Sequence, residues 1–599
     1  MSRANLIFHE AAHQWFGDTV TMKWFDDLWL KEGFAEFMAY KTLAKVLPEY
    51  NAWKAFYERN KPLAYLTDST RGTTPIYQEI PNLSAAKSAY GNIVYRKAPS
   101  FLRQAEFYLG EDKFQIAVRS FLKKHEFANA EWTDLVKEFE MAGGFRQGDL
   151  KEWTNVWVKQ RGLSKITVRS GVLPSSIGQD GTNYSLQQSN DFNFPDYWRQ
   201  KVKILVIAPN DKRTIHDFLF GGANVGDALN GIHAKTFLSV NPHKPIYSTV
   251  DDYESKTNLP YFQPSPKLDS LLGKEKPKFI FPNYQDYGYG IFLLDEKSRD
   301  YVLGNIQNEP DDFLRSMMWG TLWDSVRETE LAPRDYVTLA IKNIGAERDE
   351  LTINTILGRV STAMNYYLPD AQSKELAAQL ETLLTQKMQN APTLGQRITF
   401  YRAFLNVATT DKAKQTLKDV LSGKLQIKDL KLKTKDRFDI ATKLLILSDK
   451  DAPNLLAELE KTETSDDAKR YAYAAKAGVS TAENKQKYFA DFIGNKEISE
   501  SYIETAFAPF NSTRHAELTL PFLENALKEL PNLKRSRKIF FVNGWLAAFI
   551  GGQKGEQALA IVNKFLTDNP NLDKDLRLKI LEVANGLERS VKIKKKFTK

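Results

Sequence analysis

The sequence predicts a multidomain, mainly α-helical protein: a helical N-terminal part, a small β-sandwich and a long C-terminal α-helical solenoid. Three observations carry this expectation. The 599 residues exceed what one hydrophobic core supports, so three or four domains are expected. Apolar residues recur at helical spacing over 1–163 and again over 295–599. Between them, over 164–294, the period drops to two, as in Lys165-Ile-Thr-Val-Arg and Lys201-Val-Lys-Ile-Leu-Val-Ile, with Gly, Ser, Asn and Asp between the runs.

Composition narrows the function classes. At 42% hydrophobic, 12% aromatic and 26% charged, the chain is ordinary globular protein, which excludes disorder and collagen. It has no cysteine, hence no disulfide framework, thiolate zinc finger or cysteine nucleophile. No run of about 18 apolar residues exists, so no membrane span is expected. The opening Met-Ser-Arg-Ala-Asn-Leu-Ile-Phe has no apolar core of the signal-peptide kind. A net charge of +9 is mild at this length and speaks for solubility. The one basic cluster, Lys592, Lys594, Lys595, Lys596 and Lys599, reads as a solvated tail, so no nucleic-acid partner is expected.

Along the chain, residues 5–16 form a first helix, with Leu6, Phe8, Ala12, Trp15 and Phe16 as its apolar residues, and 18–24 break it. A second helix over 28–46 starts with Asp26 and Asp27 as caps and stops at Pro48. Further helices are expected at about 100–109, 112–125, 133–141 (Thr133 or Asp134 as cap) and 149–160. The β part includes a loose Pro-rich stretch near 259–282. After Lys297, helix-length segments alternate with polar links such as Asn390-Ala-Pro, Asp449-Lys-Asp and Asn569-Pro-Asn. No strict repeat is visible, and stacked helix pairs are the natural way for such segments to bury their faces.

One constellation carries chemistry. In His9-Glu10-Ala11-Ala12-His13, two histidines at i and i+4 lie about 40° apart around a helix axis, so both imidazoles project from one face toward one metal. Glu10 lies to the side, placed to touch a water on that metal. Packing of core histidines does not explain such a glutamate in an apolar helix. A catalytic zinc takes three protein ligands, and Glu32, separated from His13 by 18 residues and lying on the second helix, is the candidate third. Glu36, one turn on, faces the same side and is placed to accept the far N–H of a ligand histidine. His125, His216, His233, His243 and His515 have no partner spacing.

The run His9-Glu-Ala-Ala-His13-Gln-Trp-Phe-Gly-Asp, followed by Trp24-Phe-Asp-Asp-Leu-Trp-Leu-Lys-Glu32-Gly-Phe-Ala, resembles the gluzincin signature of the M1 family of zinc aminopeptidases. Tyr90-Gly-Asn-Ile-Val-Tyr95-Arg-Lys resembles that family's Tyr-x-Lys-Gly segment, and Trp157-Val-Lys-Gln-Arg-Gly the end of its catalytic domain. The resemblance implies the C-terminal, helical part of a thermolysin-like catalytic domain over 1–163, a β-sandwich over 164–294 and the solenoid over 295–599. It also implies one zinc ion per chain on His9, His13 and Glu32, Glu10 as general base, and Tyr95 as the hydroxyl that stabilises a tetrahedral oxyanion. The substrate would be a peptide, cut at its N-terminal bond by zinc-activated water. Relatives of this kind are often exported, which allows a periplasmic or secreted full-length form; oligomeric state is open.

Two features depart from the family. Ala98-Pro99 stands where the family usually has Gly, which places a helix start near Pro99 and Tyr95 just before it. The sequence also starts eight residues before His9 and contains no Gly-x-Met-Glu-Asn, whose glutamate binds the substrate α-amine in the family. The family's N-terminal β-domain is therefore expected to be missing, with Leu6, Phe8 and Trp15 left as an apolar surface. Without the amine-binding glutamate, a zinc endopeptidase or epoxide hydrolase on the same site is the alternative enzyme, and a non-catalytic helical scaffold the alternative outside enzymes. The 599-residue chain by itself is expected to bind zinc weakly and to show little aminopeptidase activity; robust turnover of an aminoacyl-p-nitroanilide by the purified chain would overturn this.

Overall fold

One helix, α2 (Trp29–Val46), organises the N-terminal core, because it is apolar on most of its circumference. Trp29, Leu30, Phe34, Ala35, Phe37, Ala39, Tyr40 and Leu43 are all buried along it. In the computed structural model, which describes residues 1–172, 182–189, 198–220, 237–240, 277–495 and 497–598, this core belongs to the first of two compact units, Met1–Asp324 and Ser325–Lys599.

In the first unit, α1 (Ser2–Ala12) packs on α2. Helices α3 (Ala52–Arg59), α4 (Lys61–Asp68) and α5 (Leu83–Ala89) follow, then a π-helical turn, Ile93–Lys97, that runs straight into α6 (Ala98–Leu109). After α7 (Glu111–Lys124) come α8 (Trp132–Gly143) and α9 (Lys151–Lys159). Two short strands, β1 (Val20–Met22) and β2 (Ala128–Ala130), pair in parallel beside them. Stacked and edge-on rings fill the core, with Phe16 on Phe34 at 4.4 Å and Trp29 against Phe101 at 5.7 Å.

Where the chain turns to period two it builds two sheets. The strands are β3 (Ser164–Val172), β4 (Thr182–Ser189), β5 (Gln200–Ile207), β6 (Arg213–Phe220), β7 (Phe237–Val240), β8 (Phe279–Phe281) and β9 (Gly290–Leu293). One sheet has the order β7-β4-β3-β9 and the other β6-β5-β8. Ile166, Val168, Leu186 and Phe292 of the first share an apolar cluster with Val202, Ile204, Val206, Phe218, Phe220 and Ile280 of the second. Helices α10 (Glu296–Asn305) and α11 (Asp312–Arg327) follow, and the first unit extends into α11.

The second unit is helical, each helix packing on a neighbour or next-but-one neighbour in sequence, such as Leu394–Val407 on Asp370–Asn390 and Glu500–Phe510 on Asp466–Ala477. Side-chain caps start several of them: Asp349 accepts from the Thr352 N–H, Thr393 from Gln396 and Thr410 from Ala413. The core around Phe489, Phe507, Phe510, Trp545 and Phe549 is aromatic.

Several sequence expectations are corrected. The first helix ends at Ala12, not residue 16, because the chain enters turns in which the Asp18, Thr19 and Val20 N–H groups bond the His13, Gln14 and Trp15 carbonyls, and Gly17 adopts φ 129°. Asp26 and Asp27 do not cap α2. Asp26 accepts the Ile80 N–H at 2.5 Å, and Asp27 accepts the Trp132 N–H at 3.1 Å, so both tie distant segments to the start of α2. Helix α8 is capped by Glu131, with Asp134 accepting the Glu131 N–H in a capping box. The helix expected from Pro99 is preceded by the π-turn, so Tyr95 lies inside helical backbone. Of the expected apolar surface, Leu6 and Trp15 are exposed (58% and 54%), joined by Ile7, whereas Phe8 is half-buried. The C-terminal lysines up to Lys596 belong to the helix Lys574–Phe597, held down by Ile580, Ala584, Leu587 and Ile593; Lys594 Nζ reaches the Lys554 carbonyl at 3.0 Å. Residues 259–276 of the Pro-rich stretch, with His233, His243 and Lys599, lie outside the described residues.

Asp27 generates a pH prediction. Burial is the main cause that pushes its carboxyl up to about 7, against the Trp132 N–H, which favours the ionised form. A carboxyl with a raised folded pKa binds its proton more tightly folded than unfolded, so its contribution is fullest below pH 4 and is lost as pH rises to 7. Three pH units correspond to about 4 kcal/mol. Asp27→Asn is expected to remove this loss, gaining stability over the wild type between pH 5 and 8 in urea titrations; parallel pH profiles for the two proteins would refute it.

Candidate metal centre

The last turn of α1 and its C-cap supply His9 and His13, while the first turn of α2 supplies Glu32. His9 and Glu32 are buried. Burial alone would leave the imidazole tautomers open; their partners settle them. His13 Nδ1 lies 3.0 Å from the Phe16 carbonyl, which only accepts, so Nδ1 carries the proton. His9 Nδ1 lies 2.9 Å from Glu36 Oε2, which by the same logic accepts from it. Both Nε2 atoms are thereby directed inward, and both lie 3.4 Å from Glu32 Oε2. The imidazole rings stand edge to face at 4.8 Å.

The electrostatics follow from this crowding. For Glu32, burial opposes the ionised form, yet hydrogen bonds from His13 and His9 hold the carboxyl well below the usual range. For His9, burial opposes the charged form, but hydrogen bonds to Glu32 and Glu36 outweigh it and raise the imidazole to about 9. For His13 the Glu32 hydrogen bond leads and raises its pKa. Lys31 Nζ adds positive charge 3.6 Å from Glu32 Oε1. Among the described residues, His9, His13 and Glu32 are the one group of histidine and carboxylate ligand atoms gathered for a metal ion, all lying within 4.8 Å of one another. Two imidazole Nε2 atoms and one carboxylate on two helices, with each Nδ1 engaged by an acceptor on the far side, fit zinc.

Tyr95 comes to the site from the π-turn. Its ring stacks on His9 with centroids 6.1 Å apart, and burial, then the Glu32 charge, push its phenol up so that it stays protonated. Glu10 is exposed on α1, and its charge is felt at the Tyr95 phenol. Glu36, one turn beyond Glu32, accepts from His9 Nδ1 at 2.9 Å. Three further side chains escaped the sequence reading. Tyr90 packs 6.3 Å from the Tyr95 ring. Asn60 donates to Glu36 Oε1 at 2.8 Å, and Arg96 donates to Asn60 Oδ1 at 2.8 Å. Tyr90 and Arg96 were inside the quoted motif, but Asn60 joins α3 to α4, which carried no sequence signal of a site. His125, His216 and His515 are not part of this group; they sit on α7's C-cap, β6 and a short helical turn.

Residues 1–157 match the Peptidase family M1 domain, and residues 279–589 match the ERAP1-like C-terminal domain. The chain is 27% identical over 544 residues to an aminopeptidase N of Streptomyces lividans, covering 89% of this chain and 58% of that protein. It is 39% identical over 168 residues to a probable aminopeptidase 1 of Sulfurisphaera tokodaii (28% of this chain, 21% of the relative). To a puromycin-sensitive aminopeptidase of Caenorhabditis elegans it is 37% identical over 180 residues, 30% of this chain and 18% of the relative. The chain thus spans less than two thirds of each of these relatives.

The spacing between α2 and the π-turn is set by Gly33, beside Glu32. A Cβ there would sit 2.9 Å from Ala98 Cβ and 3.4 Å from the Val94 carbonyl. Gly33→Ala is expected to push the Tyr95 turn away from Glu32, costing about 1 to 3 kcal/mol as an overpacked core does. A melting temperature equal to wild type would sink this expectation.

Proposed function

The chain belongs to peptidase family M1, and from that premise we propose that it is a zinc-dependent aminopeptidase hydrolysing the N-terminal bond of peptides. The observation that carries the reading is the convergence of His9 Nε2 and His13 Nε2 on Glu32 Oε2 at 3.4 Å each. These three side chains would hold one zinc ion. Zinc in a three-ligand site supplies Lewis acidity, polarising the scissile carbonyl and making water nucleophilic near neutral pH.

The protein's own groups do the rest. Glu10, exposed next to His9, takes the proton that the attacking water gives up and passes it to the departing amine nitrogen. Tyr95 Oη, kept protonated by burial, donates to the oxyanion that develops on the carbonyl oxygen, worth about 3 to 4 kcal/mol. Glu36 keeps the His9 proton on Nδ1, away from the metal side. In the same reading, 1–163 is the helical part of a thermolysin-like catalytic domain, 164–294 a β-sandwich and 295–599 an α-helical solenoid.

Elemental analysis of the purified chain tests the core of the proposal. One zinc per wild-type chain at equilibrium with excess zinc, lost in Glu32→Ala, is the expected result; a wild type that takes up no zinc under those conditions overturns it. Glu10→Gln and Tyr95→Phe are each expected to keep zinc while lowering the small turnover of an aminoacyl-p-nitroanilide by the zinc-saturated chain at least about 100-fold. Preferred cleavage of N-blocked over free-amine peptides would instead identify an endopeptidase.

A further inference from the structure

A chain of hydrogen bonds runs from the π-turn to the metal ligand without passing through the substrate side of the site. Asn92 Nδ2 donates to Thr67 Oγ1 at 2.9 Å, and Arg96 Nε donates to Asn92 Oδ1 at 2.9 Å. The same guanidinium donates through Nη1 to Asn60 Oδ1 at 2.8 Å. Asn60 Nδ2 donates to Glu36 Oε1 at 2.8 Å, and Glu36 Oε2 accepts from His9 Nδ1 at 2.9 Å.

The direction of every link is forced. Arginine has only donors, so the Asn60 atom facing it is the oxygen. The Glu36 carboxylate only accepts, so the Asn60 atom facing it is the nitrogen. Asn60 is 3% exposed, leaving water little access to replace either partner. Both Glu36 oxygens are thus engaged, one by Asn60 and one by His9, and the carboxylate cannot rotate without breaking a half-buried hydrogen bond.

The location gives the relay its meaning. Arg96 follows Tyr95 directly in the π-turn, and the Tyr95 ring lies 6.1 Å from the His9 ring. We propose that Asn60 and Arg96 are positioning residues, which hold Glu36, and through it the His9 imidazole, in register with Tyr95. Neither touches substrate or metal; they set the relative placement of one metal ligand and the oxyanion donor. Lysine at 96 could not substitute, because only the guanidinium fork reaches Asn92 and Asn60 together.

The inference rests on the reading of His9 as a zinc ligand, and the test separates the two. Zinc affinity of the full chain is measured by competition with a chromophoric chelator, beside thermal melts. Asn60→Asp keeps the acceptor for Arg96 and the side-chain size but places a carboxylate oxygen against Glu36. It is expected to weaken zinc binding 10- to 100-fold with the melt little changed, and Arg96→Lys to weaken it about 10-fold. The decisive readout is non-additivity: Asn60→Ala combined with Glu36→Ala is expected to lose no more affinity than Glu36→Ala alone. Additive losses, or wild-type affinity in both Asn60→Asp and Arg96→Lys, overturn the relay while leaving the metal site intact. No zinc on the wild-type chain overturns the metal reading and the relay with it. Should Asn60→Asp fail to fold, Arg96→Lys and the double-mutant comparison decide.

Discussion

The placement of the site depends on a charge pair that no water reaches. Lys97 and Asp68 have no exposed side-chain surface, and their charged atoms lie 2.8 Å apart. Removing two ions from water costs several kcal/mol each, so such a pair is tolerable only when every remaining donor and acceptor is used. Here they are. Lys97 Nζ also donates to the Gly162 carbonyl at 2.7 Å. Asp68 accepts from Thr73 Oγ1, the Gly162 N–H and Tyr289 Oη. Burial lowers the Lys97 pKa, and the Asp68 charge works against that. The pair therefore locks the end of the π-turn to α4 and to the chain entering β3. A second buried pair, Lys61 with Asp286 at 2.8 Å, fastens the start of α4 to the segment before β9.

With that frame in place, the candidate metal centre needs few further constraints. Helix α2 brings Glu32 and Glu36 one turn apart on a single face, and α1 brings His9 and His13 against them. The two carboxylates divide the labour by position. Glu32 lies between the Nε2 atoms, where a metal ion would bind, and Glu36 takes the far proton of His9. The arrangement is one of helix backbones more than of loops, which suits a site that must hold its ligands before any ion arrives.

How much of this was legible in the sequence follows from the range of each interaction. The His-Glu-x-x-His spacing, Glu32 and Glu36 are set by helical periodicity over four residues and by a short connection, so reading them required only local rules. Period-two runs marked β3 and β5 for the same reason. Several of the failures involve distant partners. Asp26 and Asp27 look like caps until Ile80 and Trp132 claim them. The lysines near the C-terminus look like a tail until Lys554 and the apolar seam of their own helix are in place. Asn60 has no pattern around it at all, and only its neighbours 24 and 36 residues away reveal its place.

The π-turn shows how a local conflict becomes a functional geometry. Pro99 cannot donate a backbone hydrogen bond, and in regular α-helix its ring would press on the carbonyl four residues earlier, which belongs to Tyr95. The chain widens instead: the Ala98 N–H bonds the Ile93 carbonyl, one residue further back than in an α-helix. The wider turn lets three consecutive side chains reach three different anchors. Tyr95 faces His9, Arg96 reaches Asn60 and Asn92, and Lys97 enters the buried pair with Asp68. Tyr95, Arg96 and Lys97 thus share one backbone turn while each is held by a different anchor, so the three contacts form one structural unit. Proline, which reads as a breaker in the sequence, is here the residue that makes that unit possible.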